Sequence, residues 1–277
     1  MNLLRCFKTV VFCLWVLESM IVHASSEMTM TMHESTREQI VKIVKQIQRA
    51  DYEGNRAQLK KLYHDLDRYV NDKQFEAKVR YWRGFAMWRM ALNGFNDSID
   101  FGELDQELKQ AVTEFQFAID RDTGFNDAKT AAAACLESRM YIHQNDKTLT
   151  QDLLNKVREL LREAKDTDPE NPRLLWVLGA GAWYIGAENG GGEDKALEIY
   201  NRGLKVARER RSAATDPLNP SWGEPELLMN LAWSNLNLKN PNPTAAEEYA
   251  KSALAIVPYW HYVKDILMPQ ITAAKGK

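Results

Sequence analysis

Apolar positions along this chain recur every three to four residues, the period of a helix that buries one face. Ile40, Ile43, Val44 and Ile47 make one stripe, and Leu59, Leu62, Leu66 and Tyr69 the next, with Glu53-Gly54-Asn55 turning the chain between them. Ser35-Thr36 with Glu38 supplies a capping box ahead of the first stripe. Residues 35–71 are therefore expected to form one antiparallel helix pair. The second pair starts near Gln74 and takes Leu108 to Ile119 as its second helix. Ala128 to Tyr141 with Leu153 to Ala164, Leu174 to Tyr184 with Lys195 to Arg210, and Glu226 to Leu238 with Thr244 to Ile256 give three more. A last helix, His261 to Ala273, would cover the end of the array, as a terminal repeat must. No stretch alternates with the period of a strand for long enough to be one.

The second helices of these pairs share a stencil. A small residue is followed by a bulky one four places on, a small one after seven, and a helix-ending position after twelve. Ala111, Phe115, Ala118 and Thr123 fit it, as do Val157, Leu161, Ala164 and Asp168-Pro169. So do Ala196, Tyr200, Gly203 and Arg208, and Ala246, Ala250, Ala253 and Pro258, where the bulky ring comes one place early at Tyr249. A stencil repeated through a chain marks an array of helix pairs that bury their faces against one another.

Trp82-Arg83-Gly84-Phe85 and Leu175-Trp176-Val177-Leu178-Gly179-Ala180-Gly181-Ala182 resemble the first helix of a tetratricopeptide repeat, and Ala246 through Pro258 resembles the second. The resemblance covers roughly residues 74–273 and, more weakly, 35–71. It implies an all-α right-handed α-α superhelix: a solenoid of about five helix pairs plus a C-terminal capping helix, as one domain over 35–277. Small residues at Gly84, Gly179 and Ala232 would let paired helices approach closely. The spacings from these to Ala111, Ala196 and Ala246 exceed the family's, and the extra residues are expected in the hairpin within each pair. Such insertions either build a binding edge or are tolerated drift at exposed turns.

The resemblance also points to a site. Side chains of the first helices line the inner groove in that family. Carried over residue by residue, Tyr81, Phe85, Trp88 and Arg89, then Arg173, Trp176, Trp183 and Tyr184, then Trp233 would face a partner. Tyr81, Phe85 and Trp88 stand at i, i+4 and i+7, on one helix face. Tryptophan, tyrosine and arginine are the residue types that anchor interfaces. The competing reading is that several of these rings fill space between helices.

Composition narrows the rest. Arg5 and Lys8 precede an apolar run from Val10 to Leu17, and Val22-His23-Ala24 has the small residues of a cleavage site. Residues 1–24 are expected to be a signal peptide cleaved near Ala24, with an uncleaved anchor as the alternative. Residues 25–34 lack periodicity and are expected to be a flexible start, leaving an exported, periplasmic or secreted chain with no integral membrane segment. Cys6 and Cys13 fall in the leader, so Cys135 has no partner. With 36 basic and 38 acidic side chains, the formal charge of −2 gives nothing to attract nucleic acid.

No catalytic constellation is evident, no cofactor is expected, and the chain is read as no enzyme. Gly190-Gly191-Gly192 lacks the Gly-Lys-Ser/Thr ending of a phosphate loop and precedes Glu193 and Asp194, which would repel an anion; it is read as a turn. Met28, Met30, Met32 and His33 could suit a soft metal, but a chance methionine cluster is the plainer reading, and no metal site is expected. The function expected is a scaffold or adaptor holding a protein or peptide in an aromatic groove. The alternative is a periplasmic ligand-holding accessory of a solute-uptake system. Self-assembly into a homo-oligomer through the solenoid edge is left open.

Overall fold

The computed structural model describes residues 34–211 and 216–276. The expected signal peptide, most of the expected flexible start and the Met28–Met32 cluster lie outside them. The chain divides into two units, up to residue 42 and from residue 43 on. Residues 34–42 are helical in the first unit, and residues 43–52 are helical in the second (α1).

In the second unit, α1 is followed by α2 (Arg56–Asp65), α3 (Glu76–Asn96), α4 (Phe101–Arg121), α5 (Asn126–Ile142), α6 (Lys147–Thr167), α7 (Pro172–Tyr184), α8 (Glu193–Arg210), α9 (Glu224–Asn237) and α10 (Pro243–Ile256). A π-helical turn (Tyr262–Leu267) runs into α11 (Met268–Lys275), and this end packs on α10. Each helix packs chiefly on a neighbour in sequence, as short connections between antiparallel helices require. No strand occurs among the described residues. The fold is all-α, built from consecutive helix pairs.

The small-bulky stencil explains how pairs close. A Cβ on Gly84 would lie 2.9 Å from the Phe115 ring, and one on Gly179 would collide with the Tyr200 ring. In these two pairs the bulky residue of the second helix thus sits where its partner helix has no side chain. Ala111, Ala118, Ala164, Ala196, Ala246, Ala250 and Ala253 are all buried beside them. A fully buried ring such as Phe115 contributes about 1.5–3 kcal/mol through the apolar surface it hides. Helix starts are fixed by side-chain oxygens: Asn55, Asp100, Asp146, Asn171 and Asn242 each accept a backbone N–H of the first turn.

Two features depart from the expectation. The extra residues between Gly84 and Ala111 lengthen α3 and α4 and leave only residues 97–100 as a hairpin. More consequential is the connection between α8 and α9. Leu218 and Trp222 are buried, and the chain folds back onto α3: Trp82 Nε1 donates to the Leu218 carbonyl at 2.9 Å and Trp222 Nε1 to the Tyr81 hydroxyl at 2.8 Å. Gly223, at φ 139°, turns the backbone from Trp222 into α9, a conformation open to glycine. The end of α1 also meets the C-terminal segment, with the Tyr52 and Trp260 rings edge to face at 5.0 Å.

Candidate functional site

The nine residues expected to line one groove fall into three groups. Tyr81, Phe85 and Trp88 share a helix face as the spacing implies, but that face is covered, with 0%, 1% and 0% exposure. Trp222 is the cover. Its ring stands 5.5 Å from Trp88 and 6.4 Å from Phe85, while Phe115 and Trp82 close the other sides. These rings offer no surface to a partner.

Arg173 forms a second case. Its guanidinium holds Asp127 through Nε at 2.6 Å and Nη2 at 3.1 Å, and its Nη1 donates to the Trp222 carbonyl at 3.0 Å. The burial that would favour a neutral side chain is outweighed by Asp127, which pulls the Arg173 pKa above its ordinary value. Arg173 is fully engaged in tying residues 216–223 to α5 and α7.

The remaining five, Arg89, Trp176, Trp183, Tyr184 and Trp233, are brought together. They line a cavity of about 310 Å³ between α3, α7, α8, α9 and the C-terminal turn. Trp183 and Trp233 meet edge to face at 5.2 Å, and Trp176 stands 6.0 Å from Trp88 and 5.7 Å from Trp222. Trp176 therefore joins the filled cluster to the open space. Its Nε1 is buried and unpartnered among the described residues, and leaving such a donor unpaired costs about 1–3 kcal/mol. Tyr184, 81% exposed, ends α7 at the rim. Beyond it Gly192 adopts φ 94° and donates its N–H to the Ala182 carbonyl at 2.9 Å, pinning the glycine-rich turn back against α7.

Sequence reasoning left out part of the lining. Tyr200 was placed by the stencil as a packing residue; it also walls the cavity, its hydroxyl accepting from Asn230 Nδ2 at 3.0 Å. Burial pushes the Tyr200 phenol above its ordinary pKa and keeps it neutral. Met229, Trp260 and Tyr262 add apolar wall, and Asn93 and Asn230 add amides. The aromatic content of Trp260-His261-Tyr262, just past Pro258, was the available signal.

Polar chemistry concentrates behind Arg89, which is 6% exposed. Its Nε donates to Asp51 Oδ1 at 2.7 Å, and Asn93 Nδ2 donates to the Asp51 carbonyl at 3.1 Å. Burial raises the Asp51 pKa, opposed by Arg89. Glu226 is nearby and engaged elsewhere, accepting from Tyr52 Oη at 2.7 Å and Gly223 N at 2.7 Å. On the α5 side, Glu137 faces Gly181, whose added Cβ would lie 3.5 Å from Oε1. Burial alone pushes the Glu137 carboxyl up to about 8. Cys135 is buried, and burial raises its thiol as well, so its role is packing. Among the described residues no group of three or more His, Cys, Asp or Glu is arranged to hold a metal.

Aromatic walls, neutral amides and one deep guanidinium suit a flat, largely apolar molecule with a polar end. A solved structure shares the fold. The HusA haemophore from Porphyromonas gingivalis matches with a TM-score of 0.55 at 17% identity, over 72% of this chain and 93% of that one. At this identity the likeness is one of fold. No protein-family model and no curated protein matches the chain. Among the described residues no helix is long and apolar enough to cross a membrane.

Proposed function

We propose that this chain is an exported binding protein that holds a flat aromatic small molecule in the cavity walled by Trp176, Trp183 and Trp233. The observation that carries the reading is that these indoles surround space the described residues leave empty, while the neighbouring aromatic face is filled by Trp222. The volume falls at the lower end of the range of small-molecule sites. The structural neighbour's name, haemophore, makes a tetrapyrrole the first ligand to try. Stacking and edge contacts with indole rings suit a planar macrocycle, each aromatic pair adding about 0.5–1.5 kcal/mol beyond area burial. The grip proposed is on the ring system, through the indoles of Trp176, Trp183 and Trp233. No reaction is proposed.

This reading is preferred to a peptide-holding scaffold because residues 216–223 already cover Tyr81, Phe85 and Trp88, where an extended peptide would have lain. The test is titration with mesoporphyrin IX, followed by tryptophan fluorescence and by thermal unfolding. Saturable quenching with a rise in Tm is expected, since a ligand at a hundred times its Kd stabilises by about 2.7 kcal/mol. Absence of both up to the solubility limit of the porphyrin would exclude this ligand class.

A further inference from the structure

Resting on the cavity reading above, we infer that Arg89 is the anchor for a carboxylate carried by the ligand, so that the ligand enters acid end first. Three observations lead there. The hydrogen bond that Arg89 makes uses Nε alone, with Asp51 held at 2.7 Å behind it. Its two Nη groups make no hydrogen bond among the described residues, and they do not count among the sealed-off unpartnered atoms as the Trp176 indole nitrogen does. Arg89 is nevertheless almost wholly buried and belongs to the cavity lining. A guanidinium with four N–H bonds uncommitted, facing a cavity from a buried position, is a built receptor for a planar bidentate acceptor.

Two carboxylates act electrostatically on Arg89, Asp51 through a direct pair and Glu226 without one. Asp51 and Arg89 form a pair whose positive end faces the cavity. Glu226 spends its oxygens on Tyr52 and Gly223. Asn93, tied to the Asp51 carbonyl, keeps the pair in register from the same helix. The Phe85 and Trp88 rings, 5.7 Å and 5.6 Å from the guanidinium carbon, restrict where the arginine can swing. The ligand class that follows is an aromatic acid: a ring system for the indoles and a carboxylate for Arg89.

The experiment compares mesoporphyrin IX with its dimethyl ester, both delivered from dimethyl sulfoxide, on the wild type and on Arg89→Lys. Lysine keeps the charge against Asp51 but cannot both pair with it and present a planar fork to the ligand. The wild type should prefer the free acid by about tenfold or more, the value of a charge-assisted hydrogen bond, and Arg89→Lys should bind the two equally. Equal binding of acid and ester by the wild type overturns the Arg89 assignment and leaves the cavity reading standing. A preference retained by Arg89→Lys overturns it too, because the anchor is then elsewhere. Binding of neither compound overturns the cavity reading itself. If Arg89→Lys does not fold, the double variant Asp51→Asn, Arg89→Gln, neutral and of similar shape, takes its place with the same expectation.

Discussion

The filled aromatic cluster and the open aromatic cavity are made of the same side chains, sit side by side and share Trp176. They differ in what covers them. Around Tyr81, Phe85 and Trp88 the chain supplies its own Trp222, so the rings pay their way as core. Around Trp176, Trp183 and Trp233 none of the described residues fills the space, and indoles bordering such a volume forgo part of their packing energy. Aromatic residues at helical spacing therefore do not separate a core from a site. The covering segment does.

The sharpest way to break this contrast is to remove the cover. Trp222→Ala deletes a buried indole touching Phe85, Trp88 and Trp176, and leaves the Tyr81 hydroxyl without its donor. A loss of about 3–5 kcal/mol in chemical denaturation is expected. A loss below about 1 kcal/mol, the level of an ordinary surface change, would mean that Trp222 is not the core of that region and the contrast is false.

The next effect comes from the strut that holds the cover. Arg173→Ala leaves Asp127, half-buried, with the Asn171 amide but without its guanidinium partner, and frees the Trp222 carbonyl. Breaking a buried pair this way costs about 3 kcal/mol. Residues 216–223 should become sensitive to limited proteolysis before the helices do. Proteolysis starting instead at the 185–192 turn would place the weak point on the cavity side.

How far the sequence carried this comparison can be traced through particular residues. The helix pairs and the Gly84–Phe115 and Gly179–Tyr200 contacts were legible, because helical periodicity and the small-bulky stencil are local properties. Tyr81, Phe85 and Trp88 were correctly placed on one face, yet their cover was invisible. Trp222 lies in an irregular connection more than 130 residues away from them, and no periodicity encodes such a contact. The closure of Tyr52 on Trp260 is hidden for the same reason. Arg89 and Arg173 looked alike on paper. Only their partners, Asp51 for one and Asp127 with the Trp222 carbonyl for the other, distinguish an arginine with free Nη groups from one whose three nitrogens all donate.

A pH dependence sharpens the picture on the α5 side of α7, outside the cavity lining. Glu137 titrates at about 8 in the folded chain through burial alone, against about 4.3 when unfolded. Its neutral form is thus compatible with the fold, and that stability is present below the unfolded value and lost as pH rises through 8. Because Glu137 as a residue is only half-buried, the effect is reduced and about 2 kcal/mol should be lost by pH 9. Glu137→Gln should remove this part of the pH dependence and be more stable than the wild type at pH 9, as read from denaturant midpoints. Parallel stability curves for the two proteins between pH 5 and pH 9 would refute the account.

The smallest effect on stability should accompany the largest on binding. Trp183 lies half-buried at the cavity and meets Trp233 edge to face. Trp183→Ala forfeits that pair and some rim contact, so about 1 kcal/mol is expected, far less than for Trp222→Ala. The space it leaves opens to solvent rather than into packed core, so no dry void adds to the cost. Porphyrin affinity should nonetheless fall about tenfold or more, because the ring is a wall of the site. The two tryptophan variants then form a crossed pair: one loses stability, the other loses ligand. If Trp183→Ala proves as destabilising as Trp222→Ala, the cavity is core with a packing gap, and the indoles around it are there to hold the fold together.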